Sequence, residues 1–338
     1  MSAATWSRDG DDLDRLLQDL LPQTVPELAP IASISPISAP GGYHTQIRRI
    51  TLSSGKRLIA KRHVFGQLAA DQGHYLLLVE RRVTNLLREA GCNVPEVLGT
   101  DNHNHIVLLE DVGSHTLDDL SQTHGPVERV RLAEHALEGF LRIHKALSGA
   151  SLDTMIAAGA DAETVRSDFR ELAPSITPEL LANMVDTRHE QVATSIGTLI
   201  RELSDAETSV GPSDYNARNI VVSKTGTPYF LEWSKIGYDW PERRFVQYLT
   251  SLGAGRPGSR PRSLIDRDLV LRFAELGDWE DPRAASASLD AHHLIFHVLL
   301  ASRYPSGDLP KTVRSALTTP ISDSEEVAQL RAMFERRT

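Results

Sequence analysis

The chain changes character at Thr116. Before it, two β-type runs, around Ile47–Leu52 and Arg57–His63, are separated by the hairpin signal SSG. The next segment carries apolar residues at helical spacing (Leu78, Val79, Val83, Leu86 and Leu87) and stops at Gly91. A strand, a polar turn and the run His105–Glu110 complete a small unit of strands around one helix. After Thr116 the sequence is helical, with the long amphipathic stretch VERVRLAEHALEGFLRIHKAL, and strands return only around Asn219–Val222 and Pro228–Trp233, joined by SKTGT. A strand-rich unit followed by a helical one restricts the fold class to α+β. Residues 22–40, rich in Pro, Ser and Ala, read as a connection; ahead of them Leu13, Leu16, Leu17, Leu20 and Leu21 share one face of a short amphipathic helix packed on the body.

The returning strands are entered through SDYNARNIVV, which holds Asp214 and Asn219 five positions apart. Phosphoryl transfer needs a cover for the phosphates, a cation, metal ligands and a carboxylate beside the attacking hydroxyl. The sequence has a candidate for each, in an order that makes spatial sense. Gly41 and Gly42 of GGYHT stand where a strand begins and backbone N–H groups can approach phosphate oxygens. Lys61, in RLIAKRH, ends an apolar strand within reach of the α- and β-phosphates. Glu80, on the helix that follows, is placed to pair with Lys61, and Glu110, with Asp111, closes the last strand of the small unit, where its backbone can meet an adenine. Asp214 stands free to accept a hydroxyl proton or orient the nucleophile. Asn219 offers an amide oxygen to Mg2+, and Glu232 in YFLEWSKIG, on the next strand, a second oxygen ligand. Each has a plain alternative: a turn glycine, a snorkelling lysine, an exposed helical Glu, a turn-forming Asp or Asn. Their joint order favours phosphoryl transfer.

Together with GCNVPEVLG, VLLEDVG, LRIHKAL and FLEWSKIGYDWPE, these residues resemble the aminoglycoside phosphotransferase/choline kinase family over about residues 38–250. The resemblance implies a bilobal protein-kinase-like fold. Residues 1–37 would form an N-terminal helix and connection, 38–112 a small antiparallel-sheet N-lobe that binds nucleotide, and 113–338 a mainly helical C-lobe with the catalytic loop and acceptor site. It further implies ATP or GTP as donor, Mg2+ or Mn2+, and a small-molecule hydroxyl acceptor such as a sugar, aminoglycoside, nucleoside or amino alcohol. By the same resemblance Asp214 is the catalytic base, Asn219 a metal ligand, Lys61 the phosphate-contacting lysine, Glu80 its partner, and His144 structural. Two positions depart from the family pattern. Pro212 stands where His is usual, and Leu231-Glu232-Trp233 replaces Ile-Asp-Trp or Ile-Asp-Phe. Glu keeps the charge but shifts the oxygens by about 1 Å, which octahedral Mg2+ tolerates poorly. The alternative function is therefore a non-catalytic nucleotide-binding pseudokinase that regulates a partner.

Composition narrows the remaining classes. With 36 Lys+Arg against 45 Asp+Glu, the net charge of −9 does not favour nonspecific duplex binding, so no nucleic-acid partner is expected. A single cysteine, Cys92, excludes an intrachain disulfide and a Cys-based zinc cage. No signal-peptide pattern and no run of about 18 apolar residues occurs, which fits a cytoplasmic protein without a membrane partner. His293 and His297 are four apart, but Leu294 stands where the zinc-protease motif needs Glu, and SSGKR lacks the upstream Gly of a P-loop. ERRF and RPGSRPRS make a local basic region near residues 242–262, read as a solvated loop or a meeting point for an anionic substrate or another protein.

Overall fold

Strand alternation builds the smaller lobe. The computed structural model describes residues 11–24, 30–37, 46–63, 76–150, 161–182, 184–253, 258–304 and 309–335. Five antiparallel strands, β1 (Ile31–Pro36), β2 (Ile47–Leu52), β3 (Arg57–Arg62), β4 (Val97–Asp101) and β5 (Ile106–Glu110), lie in the order β1-β2-β3-β5-β4. Successive side chains of a strand point to opposite faces. One face therefore collects Ile50, Leu52, Leu58, Ala60, Ile106 and Leu108, and helix α1 (Asp11–Thr24) covers it with Leu13 and Leu17. Buried Arg48 and Arg62 reach Asp14 (2.5 Å) and Asp12 (2.9 Å) of that helix. The opposite face presents Ile47, Arg49, Ile59, Lys61 and Leu109 to the cleft between the lobes.

Residues 31–36 lie inside the stretch read as connection, yet they pair with β2 from Ile31↔Leu52 to Pro36↔Arg48. An edge strand tolerates Pro36 because no described strand pairs with its outer side; the composition that suggested a linker is that of an edge.

Helix α2 (Leu76–Glu89) joins the lobes. Its Val79, Val83 and Leu87 share a core with Ala136, Leu137, Phe140 and Ile143 of α4 (Pro126–Ser148). Phe230, from the loop-bearing hairpin, packs on the same helix at Gly139, where a Cβ would lie 2.8 Å from the ring. Only glycine permits that approach. A second core joins α5 (Ala162–Arg170), α7 (His189–Asp205), α10 (Pro282–Ala301), α11 (Lys311–Thr318) and α12 (Glu325–Ala332). The one-turn α6 (Pro178–Leu181) adds Leu181 to it, α8 (Pro241–Tyr248) and α9 (Arg267–Leu276) pack on the first core through Phe245 and Phe273, and α3 (Leu117–Thr123) follows the short strand β6 (His115–Thr116). No helix among the described residues is long and apolar enough to cross a membrane.

Candidate active site

Lys61 is held between two carboxylates. Its Nζ lies 3.1 Å from Glu80 on α2 and 2.8 Å from Glu232 in the larger lobe, so the two lobes meet through one ammonium. Burial alone would lower the lysine pKa, but the two carboxylates more than offset it and raise the value, keeping the side chain protonated. Glu80, 2 % exposed, is also gripped by His63 Nε2 at 2.5 Å, two residues along from Lys61 and next to β3.

Burial would raise the Glu80 pKa, yet Lys61 and His63 pull it from 4.5 to about 2. Because the folded value lies below the unfolded one, its stabilisation is complete above about pH 4.5 and is lost as pH falls toward about 2. Over that window the wild type should lose roughly 3 kcal/mol more unfolding free energy than Glu80→Gln. Parallel pH profiles for the two proteins in urea titrations would show that no such carboxylate is held ionised.

Asp214 and Asn219 share one loop, between β7 (Ser209–Pro212) and β8 (Ile220–Val222). Asn219 Nδ2 donates to the Asp214 backbone oxygen at 2.8 Å and to its Oδ1 at 3.3 Å. Asn216 donates to the same Oδ1 at 3.3 Å, and its own Oδ1 caps the 3-10 turn Ala217–Asn219 through Arg218 N–H at 3.0 Å. Asn219 is thus the end of this turn, not the start of the strand, and both of its side-chain hydrogen bonds use Nδ2. That leaves Oδ1 as its oxygen for a cation.

The loop is braced from beneath by Arg244, whose contribution the sequence did not reveal. Fully buried, it donates to Pro212 O (3.1 Å), Ser209 Oγ (3.1 Å), Ser209 O (2.9 Å) and Gly237 O (2.9 Å), tying β7 to its antiparallel partner β10 (Ile236–Asp239). A Cβ on Gly211 would lie 2.6 Å from that guanidinium. Pro212, where the resemblance led us to expect His, gives Arg244 its carbonyl. Tyr215, next to Asp214, donates its hydroxyl to Asp239 in a very short hydrogen bond, and Asp239 also receives Arg243 at 3.2 Å. The signal missed was the pairing of DYN with DWPERR through Tyr215 and Asp239, 24 residues apart, which only the fold brings together.

Glu232 does not lie on the strand that its apolar neighbours suggested. The strand β9 (Pro228–Phe230) stops before it, and Glu232 adopts φ 66°, the left-handed region. Leu231 N–H to Asn219 O (2.8 Å) on one side and the buried Trp233, with Nε1 on Phe230 O (2.9 Å), on the other hold it there. For a residue with a side chain this conformation costs about 1–2 kcal/mol.

Lys61, Glu80, Asn219 and Glu232 line one cavity of about 240 Å³, and Asp214, outside that lining, reaches it through its hydrogen bond with Asn219. Glu110 lines it too, but its N–H donates to Glu96 O at 2.9 Å, and Asp111, Val112 and Gly113 continue the wall. Asp111 is anchored by Arg49 (2.9 Å) and Arg57 (3.0 Å). Gly41 and Gly42 lie outside the described residues.

Nearly the full length of the chain aligns with solved structures of small-molecule kinases. Choline kinase LicA from Streptococcus pneumoniae matches at a TM-score of 0.50 and 14% identity, over 95% of this chain and 96% of that one. The GDP complex of aminoglycoside 2'-phosphotransferase-IIIa matches at 0.51 and 13%, over 95% and 99%. The AMP-bound spectinomycin phosphotransferase APH(9)-Ia matches at 0.51 and 13%, over 94% and 97%. This chain shares the fold of the aminoglycoside phosphotransferase and choline kinase structures. The fold is thus α+β and protein-kinase-like, with an antiparallel-sheet lobe and a helical lobe. No protein-family model matches the sequence, and no curated protein matches it.

The histidines set aside in the sequence have protein partners. His293 meets Ser263 Oγ through Nε2 (2.9 Å) and Arg331 through Nδ1 (3.1 Å), while His297 Nδ1 meets His293 O at 2.8 Å. His144 packs near Trp279, and burial, then Arg244, lowers its pKa to about 4. Among the described residues no cluster of three or more His, Cys, Asp or Glu could hold a metal alone.

Proposed function

We propose that this protein transfers the γ-phosphate of ATP or GTP to a hydroxyl of a small molecule. The observation that carries the reading is Lys61 locked between Glu80 and Glu232 at a cavity that also holds Asn219, with Asp214 hydrogen-bonded to Asn219. Two structures of the same fold are complexes with GDP and AMP, which supports a nucleotide in the cavity between the lobes.

Lys61, fixed in direction by Glu80, would contact the α- and β-phosphates as a full positive charge. Asn219 Oδ1 and a Glu232 oxygen suit Mg2+, which is commonly held by one or two protein oxygens with substrate phosphates and water completing the shell. Such an ion would neutralise charge that develops on the phosphates. Asp214 would orient the acceptor hydroxyl and take its proton as the oxygen bonds to the γ-phosphorus and the bond to the β-phosphate oxygen breaks. The products are a phosphate ester and ADP or GDP, and nothing covalent forms on the protein.

The test is thermal unfolding with ATP, GTP, Mg2+ and Mn2+, followed by ATP consumption across a panel of hydroxylated acceptors. Nucleotide with metal at 100 times its Kd should add about 2.7 kcal/mol of stability, and at least one acceptor should be phosphorylated. Stabilisation without turnover on any acceptor with either metal would assign the pseudokinase reading instead. No stabilisation by any nucleotide would remove both.

A further inference from the structure

A second cavity, about 260 Å³, is also lined by this loop. Asn216, Ala217 and Arg218 form one wall, and Asn216, like Asn219, donates to Asp214 Oδ1. Phe169 of α5, Leu172 just beyond it, and Ile295, Phe296 and Leu299 of α10 give it an apolar part, with charged and polar side chains around them. Asp118 and Arg218 line both cavities, which places this one next to the nucleotide cavity.

The charges around it decide what it can hold. Asp118 is its one carboxylate, and it is 4 % exposed and engaged: Oδ1 accepts from Ser251 Oγ (2.7 Å), Leu252 N–H (2.9 Å) and Gly253 N–H (3.3 Å). Arg243 is paired with Asp239 and lies over the Phe169 ring at 5.3 Å. The aromatic face that an ammonium ligand would seek already holds a guanidinium. Arg218 and Arg303, by contrast, make no side-chain ion pair among the described residues. His292 adds a buried polar atom, since its ring lines the cavity, is 2 % exposed, and has an Nε2 with no hydrogen-bond partner. Burial, then Arg243, pushes its pKa down to about 3, so the ring is neutral. An unsatisfied buried nitrogen of this kind marks a place for a missing partner.

Two guanidiniums without an ion pair among the described residues outnumber the one carboxylate, Asp118, whose Oδ1 is already taken by three donors, and the imidazole is neutral, so the lining suits an anion better than a cation. We infer that the acceptor bound here is an alcohol with an apolar body and an anionic group, carboxylate or phosphate, its hydroxyl toward Asp214 and its anion on Arg303. Arg218, which lines both cavities, would add a second positive charge on the anion's side. This assignment rests on the kinase reading and narrows its acceptor, away from the cationic choline and aminoglycosides named for structures of the same fold.

Calorimetric titration of the full chain, with and without ADP and Mg2+, tests it on four probes with one shared body. They are 4-(hydroxymethyl)benzoate, 4-(hydroxymethyl)phenyl phosphate, benzyl alcohol, and a 4-(hydroxymethyl)benzyl trimethylammonium salt. At least one anion should bind about tenfold or more tightly than benzyl alcohol, as a charge-assisted hydrogen bond allows, with the ammonium probe no tighter than the alcohol. Comparing the two anions tells carboxylate from phosphate. Arg303 is exposed, so Arg303→Gln should fold and should bring the anion to within about threefold of benzyl alcohol without weakening the alcohol itself. Arg218→Gln should narrow the same gap. Tighter binding of the ammonium probe, no binding of any probe, or an anion preference unchanged in both variants overturns the assignment. ADP binding in the same samples reports separately on the kinase reading, so either can fail alone.

Discussion

Asp214→Ala is expected to lower phosphoryl transfer roughly 10²–10⁴-fold, the range a positioned general base supplies, while nucleotide affinity stays near that of the wild type. The reason for the split lies in how Asn219 is held. Its 3.3 Å bond goes to the Asp214 carboxylate, but its 2.8 Å bond goes to the Asp214 backbone oxygen, which survives in the alanine variant. Asn219 therefore keeps its place and its Oδ1, and Lys61 with Glu80 is untouched. Asp214→Asn sharpens the comparison by keeping the shape and removing only the basicity. Single-turnover rates beside nucleotide dissociation constants measure both effects. Transfer above a tenth of the wild-type rate in both variants would show that Asp214 is neither base nor orienter.

How much of this site could be read from the sequence depends on distance along the chain. Lys61, Glu80, Asn219 and Glu232 were each visible as a residue type at a characteristic place in a strand, helix or loop, and the fold brings these four to one cavity. The contacts that hold the site in shape were not visible, because they join segments with no local signal. Arg244 reads as one more charge in ERRF, yet it is buried beneath β7 and binds three carbonyls. His63 reads as the end of a strand, yet it is the second grip on Glu80. The left-handed turn at Glu232 was hidden for a different reason. Its apolar neighbours Phe230 and Trp233 suggested a continuing strand, whereas their burial forces the chain to turn between them. Residues 31–36 were concealed by a composition shared by linkers and edge strands. The second cavity has no sequence motif at all, since its walls come from the loop and from helices more than a hundred residues apart along the chain.

Glu232 is the position where charge, reach and backbone conformation can be separated by substitution. Glu232→Ala is expected to reduce transfer by roughly 10³-fold, several kcal/mol of lost metal and phosphate stabilisation, and to leave Lys61 paired with Glu80 alone. Glu232→Asp draws the carboxylate back by about 1 Å from a Lys61 contact that is now 2.8 Å, and Asp accepts the left-handed region more readily than Glu. It should therefore keep transfer while raising the ratio of activity with Mg2+ to activity with Mn2+, because the less yielding octahedral ion gains most from a shorter ligand. Glu232→Gly isolates the backbone. At φ 66° glycine is unstrained, so this variant should be more stable than Glu232→Ala by about 1 kcal/mol in urea, although both lack the carboxylate. If Gly and Ala prove equally stable, the left-handed turn stores no strain. If Glu232→Ala retains full transfer with either metal, the carboxylate is a partner of Lys61 and not a metal ligand, and the metal must be held through Asn219 and the phosphates alone. A gain in the Mg2+ ratio for Glu232→Asp would mean that the extra methylene, held in a conformation that favours a shorter side chain, sets the metal preference of this protein.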